Sequence, residues 1–533
     1  MAATFKNGYP QMPLRQEMLP LTECDREPIH TPGAIQPYGF LIAVSRLWNV
    51  THVSANIADY LPASASMVLG CSLITLLPPE TVHALRGAVQ ILGSAAMTER
   101  LFGLKLRHDE EAVLYDFSIH IMADTYVIEA EPSVCGNSGR NDVSSTVRMM
   151  FGRLQQSRGI APLFQEATRQ IRALTGYDRV MIYRFAEDGS GEVVAESLRS
   201  GTASCLGLHY PATDIPRQAR TLYERSWLRL IGDTEDETCP LLSLPEQTEP
   251  LDMSLSTLRA VSPVHVQYLR NMGVVASASI SILRGGQLWG LIACHAMRPL
   301  WLAADRRAVM EMFGQMFSLL LDSREGEIQQ ERDDRLRDLL EDLLPALREQ
   351  GGGGLRHHLA AIADMVSCDG VAVVLSGAVS AYQLVPSETA IMTLVGLLDH
   401  ARRGELYASA RIRAVFPALA QYPHFPPGVL AVPLSPEGSD YLLFFRQETV
   451  STVTWAGNPH GGKSQGEDGT LSPRSSFAVW TETVEDQSLV WTTTDVRIAA
   501  NLRAGLMDIL LRRPASGQQD GQQDGQQRGG HGL

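Results

Sequence analysis

Residues 24–39 read Cys24-Asp25-Arg26-Glu27-Pro28-Ile29-His30-Thr31-Pro32-Gly33-Ala34-Ile35-Gln36-Pro37-Tyr38-Gly39. Three prolines and two glycines in this stretch exclude a regular helix. The segment is therefore extended, and it carries its thiol on a strand of chain able to reach into a neighbouring domain. Taken alone, Cys24 is better read as an ordinary free cysteine, a small hydrophobe with a weak S–H donor. Its meaning comes from three further stretches.

The first of these is Tyr210-Pro211-Ala212-Thr213-Asp214-Ile215-Pro216. A proline disfavours α geometry at the residue before it, so Asp214 sits in a turn and offers its carboxylate from there. An Asx-type turn is the plain alternative. The second covers residues 258–282, LRAVSPVHVQYLRNMGVVASASISI. It brings Arg259, His265 and Tyr268 close in sequence, then alternates Ser277 and Ser279 along one face of a strand. An Arg, a His and two hydroxyls turned into one pocket suit recognition of a carboxylate. A single His in such a place is more often a core residue. In the third stretch, Trp455-Ala456-Gly457-Asn458-Pro459 and Leu471-Ser472-Pro473-Arg474-Ser475-Ser476-Phe477 flank a Gly-rich excursion. Its ends carry aromatic and Arg side chains rather than only solvating ones.

Around these stretches lies a chain of 533 residues, enough for about three or four domains. Hydrophobic content is 44% and mean hydropathy −0.05, as in globular proteins. No apolar run approaches the roughly 20 residues of a membrane span. The N-terminus lacks the apolar core of a signal peptide, so the expected location is cytoplasmic. A net charge of −14 offers no clustered basic face for nucleic acid. The seven cysteines are scattered with no CxxC pair, so no metal site is expected and the thiols should be free.

The periodicity predicts a first mixed α/β domain ending near Pro132, with short strands such as FLIAV and TYVIEAEP. A Gly/Ser/Asn-rich linker follows. Next come a helix at about 145–175, the strand RVMIYRF, and a hairpin turning at Arg284-Gly285-Gly286. Residues 232–256 are acidic and Pro-rich, too long for an ordinary loop. From about 303 to 349 apolar residues recur at helical spacing: Val309, Met312, Phe313, Met316, Phe317, Leu320 and Leu321. This reads as a connecting helix whose stripe serves either core packing or a dimer seam. The glycines at 351–354 break it, a third α/β domain runs to about 513, and the GQQD-repeating tail is expected to be disordered. Gly457 to Ser464 matches GxxxxGK[ST], but SQGEDGTLSP follows where a phosphate-binding loop needs a helix, so nucleotide binding is set aside.

Together the four stretches resemble the bacterial phytochromes. CDREPIHTPGAIQPYG is similar to the family's biliverdin-attachment segment, PATDIP to its PASDIP motif, SPVHVQYLRNMG and LWGLIACH to the rest of its pocket, and WAGNP with PRSSF to its tongue. The resemblance covers about residues 20–512. It implies an α+β fold of three antiparallel-sheet sensor domains in tandem, PAS–GAF–PHY, joined by long helices. Residues 1–20 would be disordered, 21–132 form the PAS domain, 133–147 a linker, 148–322 the GAF domain, 323–512 the PHY domain with its tongue at about 444–492, and 513–533 the tail. Ile35 would thread through the 232–256 insertion in the family's figure-of-eight knot.

The resemblance also implies a cofactor, biliverdin IXα, bound as a thioether on Cys24. Val264 stands where plant relatives carry their attachment cysteine, which favours biliverdin. The Asp214 carbonyl, next to Ile215 and Pro216, and His265 would meet the pyrrole nitrogens. Arg229 and Arg259 would hold one propionate, and His265, Ser277 and Ser279 the other. Met181, Tyr183, Tyr210 and Tyr268 would wall ring D, and His295 would bond its carbonyl. In the tongue, Arg474 would pair with Asp214, alongside Pro473, Phe477 and Trp455. Two departures stand out: Thr213 in place of Ser, and Ala296 where a second His is frequent. The implied function is red/far-red photoreception by 15Z/15E isomerisation between Pr and Pfr states, relayed through the tongue and helices. The partners implied are a second copy of the chain and a separate signalling protein, with neither nucleic acid nor membrane. No histidine-kinase, GGDEF or EAL segment is legible, so no enzyme is expected. The rival reading is a GAF/PAS sensor of a small molecule or haem that does not isomerise, which would need neither Cys24 nor the tongue.

Overall fold

The computed structural model describes residues 27–93, 97–107, 113–134, 143–186, 188–350, 352–402, 404–435, 439–449, 451–458, 464–465, 471–474 and 476–510. Cys24, the first residues and the GQQD tail lie outside them. The chain divides into two compact units, Met1–Glu325 with Thr454–Thr481, and Gly326–Val453 with Glu482–Leu533.

The first domain centres on the antiparallel strands Phe40–Ser45, Val50–Ser54, Thr98–Lys105, Leu114–Met122 and Thr125–Pro132. Phe40–Ser45 is apolar at nearly every position because both of its faces are covered. Phe40, Ile42 and Val44 pack in one core with Val82, Leu85 and Leu92 of the helix Pro79–Leu92. Leu41 and Ala43 join the opposite cluster with Ile35, Val127, Cys239, Met253 and Leu258. That second cluster is where the insertion returns. Cys239–Ser243 pairs with Val50–Ser54, and Ala34–Ile35 pairs with Cys239 and Pro240. On its other side the same two-residue strand is bridged to Arg259, and the Ala260 amide donates to the Ala34 carbonyl at 3.0 Å. Ile35, fully buried, therefore passes between the two limbs of the 232–260 excursion, hydrogen-bonded to both.

The second domain orders its strands Leu228–Ile231, Ala276–Arg284, Gln287–Ala296, Arg179–Phe185, Gly191–Leu198 and His209–Tyr210. In Ala276–Arg284 the alternation is strict: Ala276, Ala278, Ile280 and Ile282 enter a core with the helices, while Ser277, Ser279 and Ser281 point the other way. Gly285 and Gly286 both take positive φ, as a two-residue hairpin turn requires. The helix expected at 145–175 is two, Val143–Gln156 and Ile160–Thr175, because Gly159 adopts φ 88 between them. The long helix runs Ala304–Gln350, about 70 Å at 1.5 Å per residue. Val309, Phe313, Phe317 and Leu321 are core residues under the sheet, whereas Met312 is 40% exposed. Most of the apolar stripe is thus core packing.

The third domain has the antiparallel order Ala378–Gln383, Gly370–Leu375, Tyr441–Arg446, Gly428–Pro433, Tyr407–Ser409. Leu359–Val366 and Thr493–Leu510 cover one face, and Glu388–Ala401, capped by the Ser387 hydroxyl, covers the other. Tyr441–Arg446 is buried along its whole length in this sheet. Ser464–Gln465 is a short strand paired with Leu471–Ser472, not the helix start a phosphate loop demands. Among the described residues, no helix is long and apolar enough to cross a membrane.

Candidate functional site

One cavity opens on the polar face of the second sheet. Its volume, about 220 Å³, far exceeds the roughly 10–15 Å³ that one buried water needs. Fifteen of the residues singled out in the sequence line it: Met181, Tyr183, Tyr210, Asp214, Ile215, Pro216, Arg229, Arg259, His265, Tyr268, Ser277, Ser279, His295, Pro473 and Arg474. Ile35 is not among them, being held in the threaded strand. Trp455 and Phe477 stand just behind the wall. Trp455 pairs with His209 and meets its ring edge-on at 5.8 Å, and Phe477 meets Tyr268 edge-on at 5.0 Å. Cys24 lies outside the described residues.

The two arginines define the electrostatics. Arg229 Nε donates to Ser279 Oγ at 3.0 Å, and its Nη1 donates to Ser281 Oγ at 2.7 Å and to the Ser226 carbonyl. Its guanidinium lies 3.9 Å from the Tyr223 ring centre. Nη2 is buried with no hydrogen-bond partner. Arg259 Nη1 donates to the Ile29 carbonyl at 3.1 Å, and its Nε is likewise buried without a partner. Neither arginine forms an ion pair among the described residues. Burial pulls the Arg229 pKa down to about 10, with Tyr223 opposing and the Arg259 charge adding to the fall. Arg259 is lowered by burial too. A buried cation without a counter-ion is unfavourable unless something anionic joins it.

His295 faces the same space with Nδ1 buried and unpartnered. Burial, then the charges of Arg179 and His265, hold its pKa to about 3, so the ring is neutral. Asp214, on a 3₁₀ turn ahead of Pro216, is ion-paired with Arg474 and accepts from the Tyr268 hydroxyl at 2.8 Å. Both side chains of the pair are under 10% exposed. Arg474 is ringed by Phe477 at 4.7 Å, Tyr210 at 5.7 Å and Tyr268 at 5.9 Å, and its carbonyl accepts from Asn271. The Tyr268 hydroxyl is raised well above its ordinary pKa by burial, with the Asp214 charge adding to it.

Several residues that line the cavity or hold its arginines escaped the sequence reading. Ser281 continues the alternation of Ser277 and Ser279, so a longer count along the strand would have found it. Glu27, whose carboxylate accepts from Ser262 Oγ at 2.9 Å, and Ile29 lie in the quoted N-terminal segment. Tyr223, which carries Arg229, has no local signal. Among the described residues no His, Cys, Asp or Glu group of three or more is arranged to hold a metal.

Profiles of three families match in tandem: "PAS fold" over residues 24–133, "GAF domain" over 160–321 and "Phytochrome region" over 336–515. A bacteriophytochrome of Pseudomonas aeruginosa is 34% identical over 527 residues, covering 93% of this chain and 67% of that one. The chain belongs to the phytochrome family. A bacteriophytochrome of Xanthomonas campestris is 31% identical over 93% of this chain and 79% of its own length. Cyanobacterial phytochrome B of Nostoc is 33% identical, covering 92% and 66%. The chain therefore spans about two thirds of the length of the Nostoc and Pseudomonas relatives. Among solved structures, the phytochrome photosensory core module of Stigmatella aurantiaca superposes with TM-score 0.80 at 34% identity, covering 93% of this chain and 99% of that one. A bacteriophytochrome of R. palustris superposes with TM-score 0.81 at 33% identity, covering 92% and 100%. The PAS–GAF–PHY tandem is that of a phytochrome photosensory module, and the cavity lies in its GAF domain.

Proposed function

We propose that this chain is a red/far-red photoreceptor that holds biliverdin IXα in the GAF cavity, attached through Cys24. The observation that carries the reading is the pair of buried, unpaired guanidiniums, Arg229 and Arg259, in a cavity of organic-ligand size. A dianionic tetrapyrrole supplies the missing counter-charges. Glu27 lines the cavity, and three residues of chain span at most about 11 Å, which keeps Cys24 within reach of it.

When bound, the bilin supplies visible absorption and a double bond that isomerises on excitation. The residues do the rest. Arg229 and Arg259 engage one propionate. Ser277, His265 and the free proton of Ser279 serve the other. The Asp214 carbonyl and His265 accept from pyrrole N–H groups, which need acceptors once buried. Met181, Tyr183, Tyr210 and Tyr268 confine ring D, and the neutral His295 donates to its carbonyl. The Asp214–Arg474 pair, flanked by Pro473 with Phe477 and Trp455 behind, is the lever. Losing it releases the tongue strands, a two-state element biased by a local event. The receptor is read as a cytoplasmic homodimer that passes its signal to a separate partner protein rather than acting as an enzyme.

The test is to mix the full chain with biliverdin, denature a sample for zinc fluorescence on a gel, and record spectra before and after red light. A covalent adduct with a reversible red/far-red change, and no adduct in Cys24→Ala, is expected. An adduct without photochange would leave a binding module of the GAF class in place of a photoreceptor.

A further inference from the structure

Arg259 stands on an irregular segment, and something must hold that segment still. On one side, the threaded strand bonds it: the Gln36 amide donates to the Leu258 carbonyl at 2.7 Å, and the Gln36 side chain reaches the Arg259 carbonyl at 3.3 Å. On the other side stands one side chain of the PAS domain. Glu129, in the strand Thr125–Pro132 and 2% exposed, turns its carboxylate to the excursion. Its Oε1 accepts the Leu258 amide at 2.7 Å, and its Oε2 accepts the Thr257 amide at 3.0 Å and the Ser118 hydroxyl at 3.0 Å.

We infer that Glu129 is a positioning residue for bilin recognition, fixing the backbone at Thr257 and Leu258 so that the Arg259 guanidinium is presented to the cavity. Three donors converge on two carboxylate oxygens, so the site is built for an acceptor at both positions. An amide in its place would set an N–H₂ against a backbone N–H. Hydrogen bonds to a charged acceptor are the strong ones, and an irregular segment has no ladder of its own to replace them. One buried carboxylate of the PAS sheet thus holds backbone 128 and 129 positions further along the chain, next to Arg259. The neighbours of Glu129, Ile128 and Ala130, turn to the opposite, apolar face of the strand, while Ser118 shares its own face. The inference rests on the proposed bilin reading, and it concerns Arg259 alone among the pocket residues.

The test is a double-mutant cycle on reversible binding, measured by tryptophan quenching with biliverdin in the full chain carrying Cys24→Ser. Arg259→Ala and Glu129→Gln should each weaken binding by about tenfold or more. Together they should weaken it no further than Arg259→Ala alone, within about twofold. Additive losses would mean that Glu129 has a merely structural role, and a Glu129→Gln affinity equal to the parent would overturn the inference. Should Glu129→Gln fail to fold, Glu129→Asp keeps the charge but shortens the reach, and the same cycle decides. Failure of the parent to bind biliverdin at all would instead sink the bilin reading.

Discussion

The GAF and PHY domains are the same kind of object, an antiparallel sheet with helices, and they treat the second face of that sheet in opposite ways. In PHY, Ala372, Val374, Val429, Ala431, Leu443 and Phe445 fill it against the helix Glu388–Ala401. In GAF, Ser277, Ser279, His295 and Arg229 line a cavity there. The buried charge differs in the same sense. Arg446 of PHY pairs with Asp495 at 3.0 Å, donates to the Val490, Val366 and Ser367 carbonyls, and packs on Trp491 at 3.9 Å. Arg229 and Arg259 of GAF have hydroxyls, carbonyls and a ring, and among the described residues neither forms an ion pair with an acid. A sheet that carries no site satisfies its cations internally. A sheet that carries one leaves them for the ligand.

The sharpest way to break this comparison is to unpair the PHY charge. Asp495→Ala strands a buried guanidinium and should cost about 3–5 kcal/mol in denaturant unfolding of the full chain, with biliverdin affinity unchanged. A loss below 1 kcal/mol would mean that unpaired buried cations are cheap here, and the argument from Arg229 would fall. The mirror experiment is Arg229→Met. Removing an already unpaired cation should leave the stability of the bilin-free chain unchanged or raised, while biliverdin affinity drops about tenfold. A third variant separates lack of a partner from lack of a partner inside a cavity. His120, in the PAS sheet, is fully buried with both ring nitrogens unpartnered, yet it does not line the cavity. Burial holds its pKa to about 4, with Asp252 opposing. The unfolded imidazole titrates near about 6.5, so between those values the unfolded chain binds a proton that the folded one refuses. Stability therefore falls as pH drops through that window. His120→Leu should remove about 2–3 kcal/mol of that acid loss by pH 4.5, measured by urea unfolding, and leave biliverdin affinity alone.

Much of this is legible in the sequence. The alternation at 276–282 fixed which face of the strand is polar, and the helical spacing from 303 onward found the long helix to within a residue at each end. The Pro and Gly punctuation of 24–39 marked an extended segment. What escaped was set by distance along the chain. Tyr223 under Arg229 and Glu129 against Leu258 are contacts between residues brought together only by the fold, and neither position carries a local pattern. The break at Gly159 escaped because the apolar spacing on its two sides reads as one helix. The stripe left core packing and a dimer seam open, and Val309, Phe313, Phe317 and Leu321 take the first role while Met312 stays exposed.

The central claim is that the cavity takes its ligand through carboxylates. The most direct measurement compares biliverdin with its dimethyl ester, by tryptophan quenching, in the full chain carrying Cys24→Ser. The account predicts that the free acid binds at least about tenfold more tightly, and that this preference disappears when Arg229 and Arg259 are both replaced by Met. Equal affinity for acid and ester in the parent chain would contradict it.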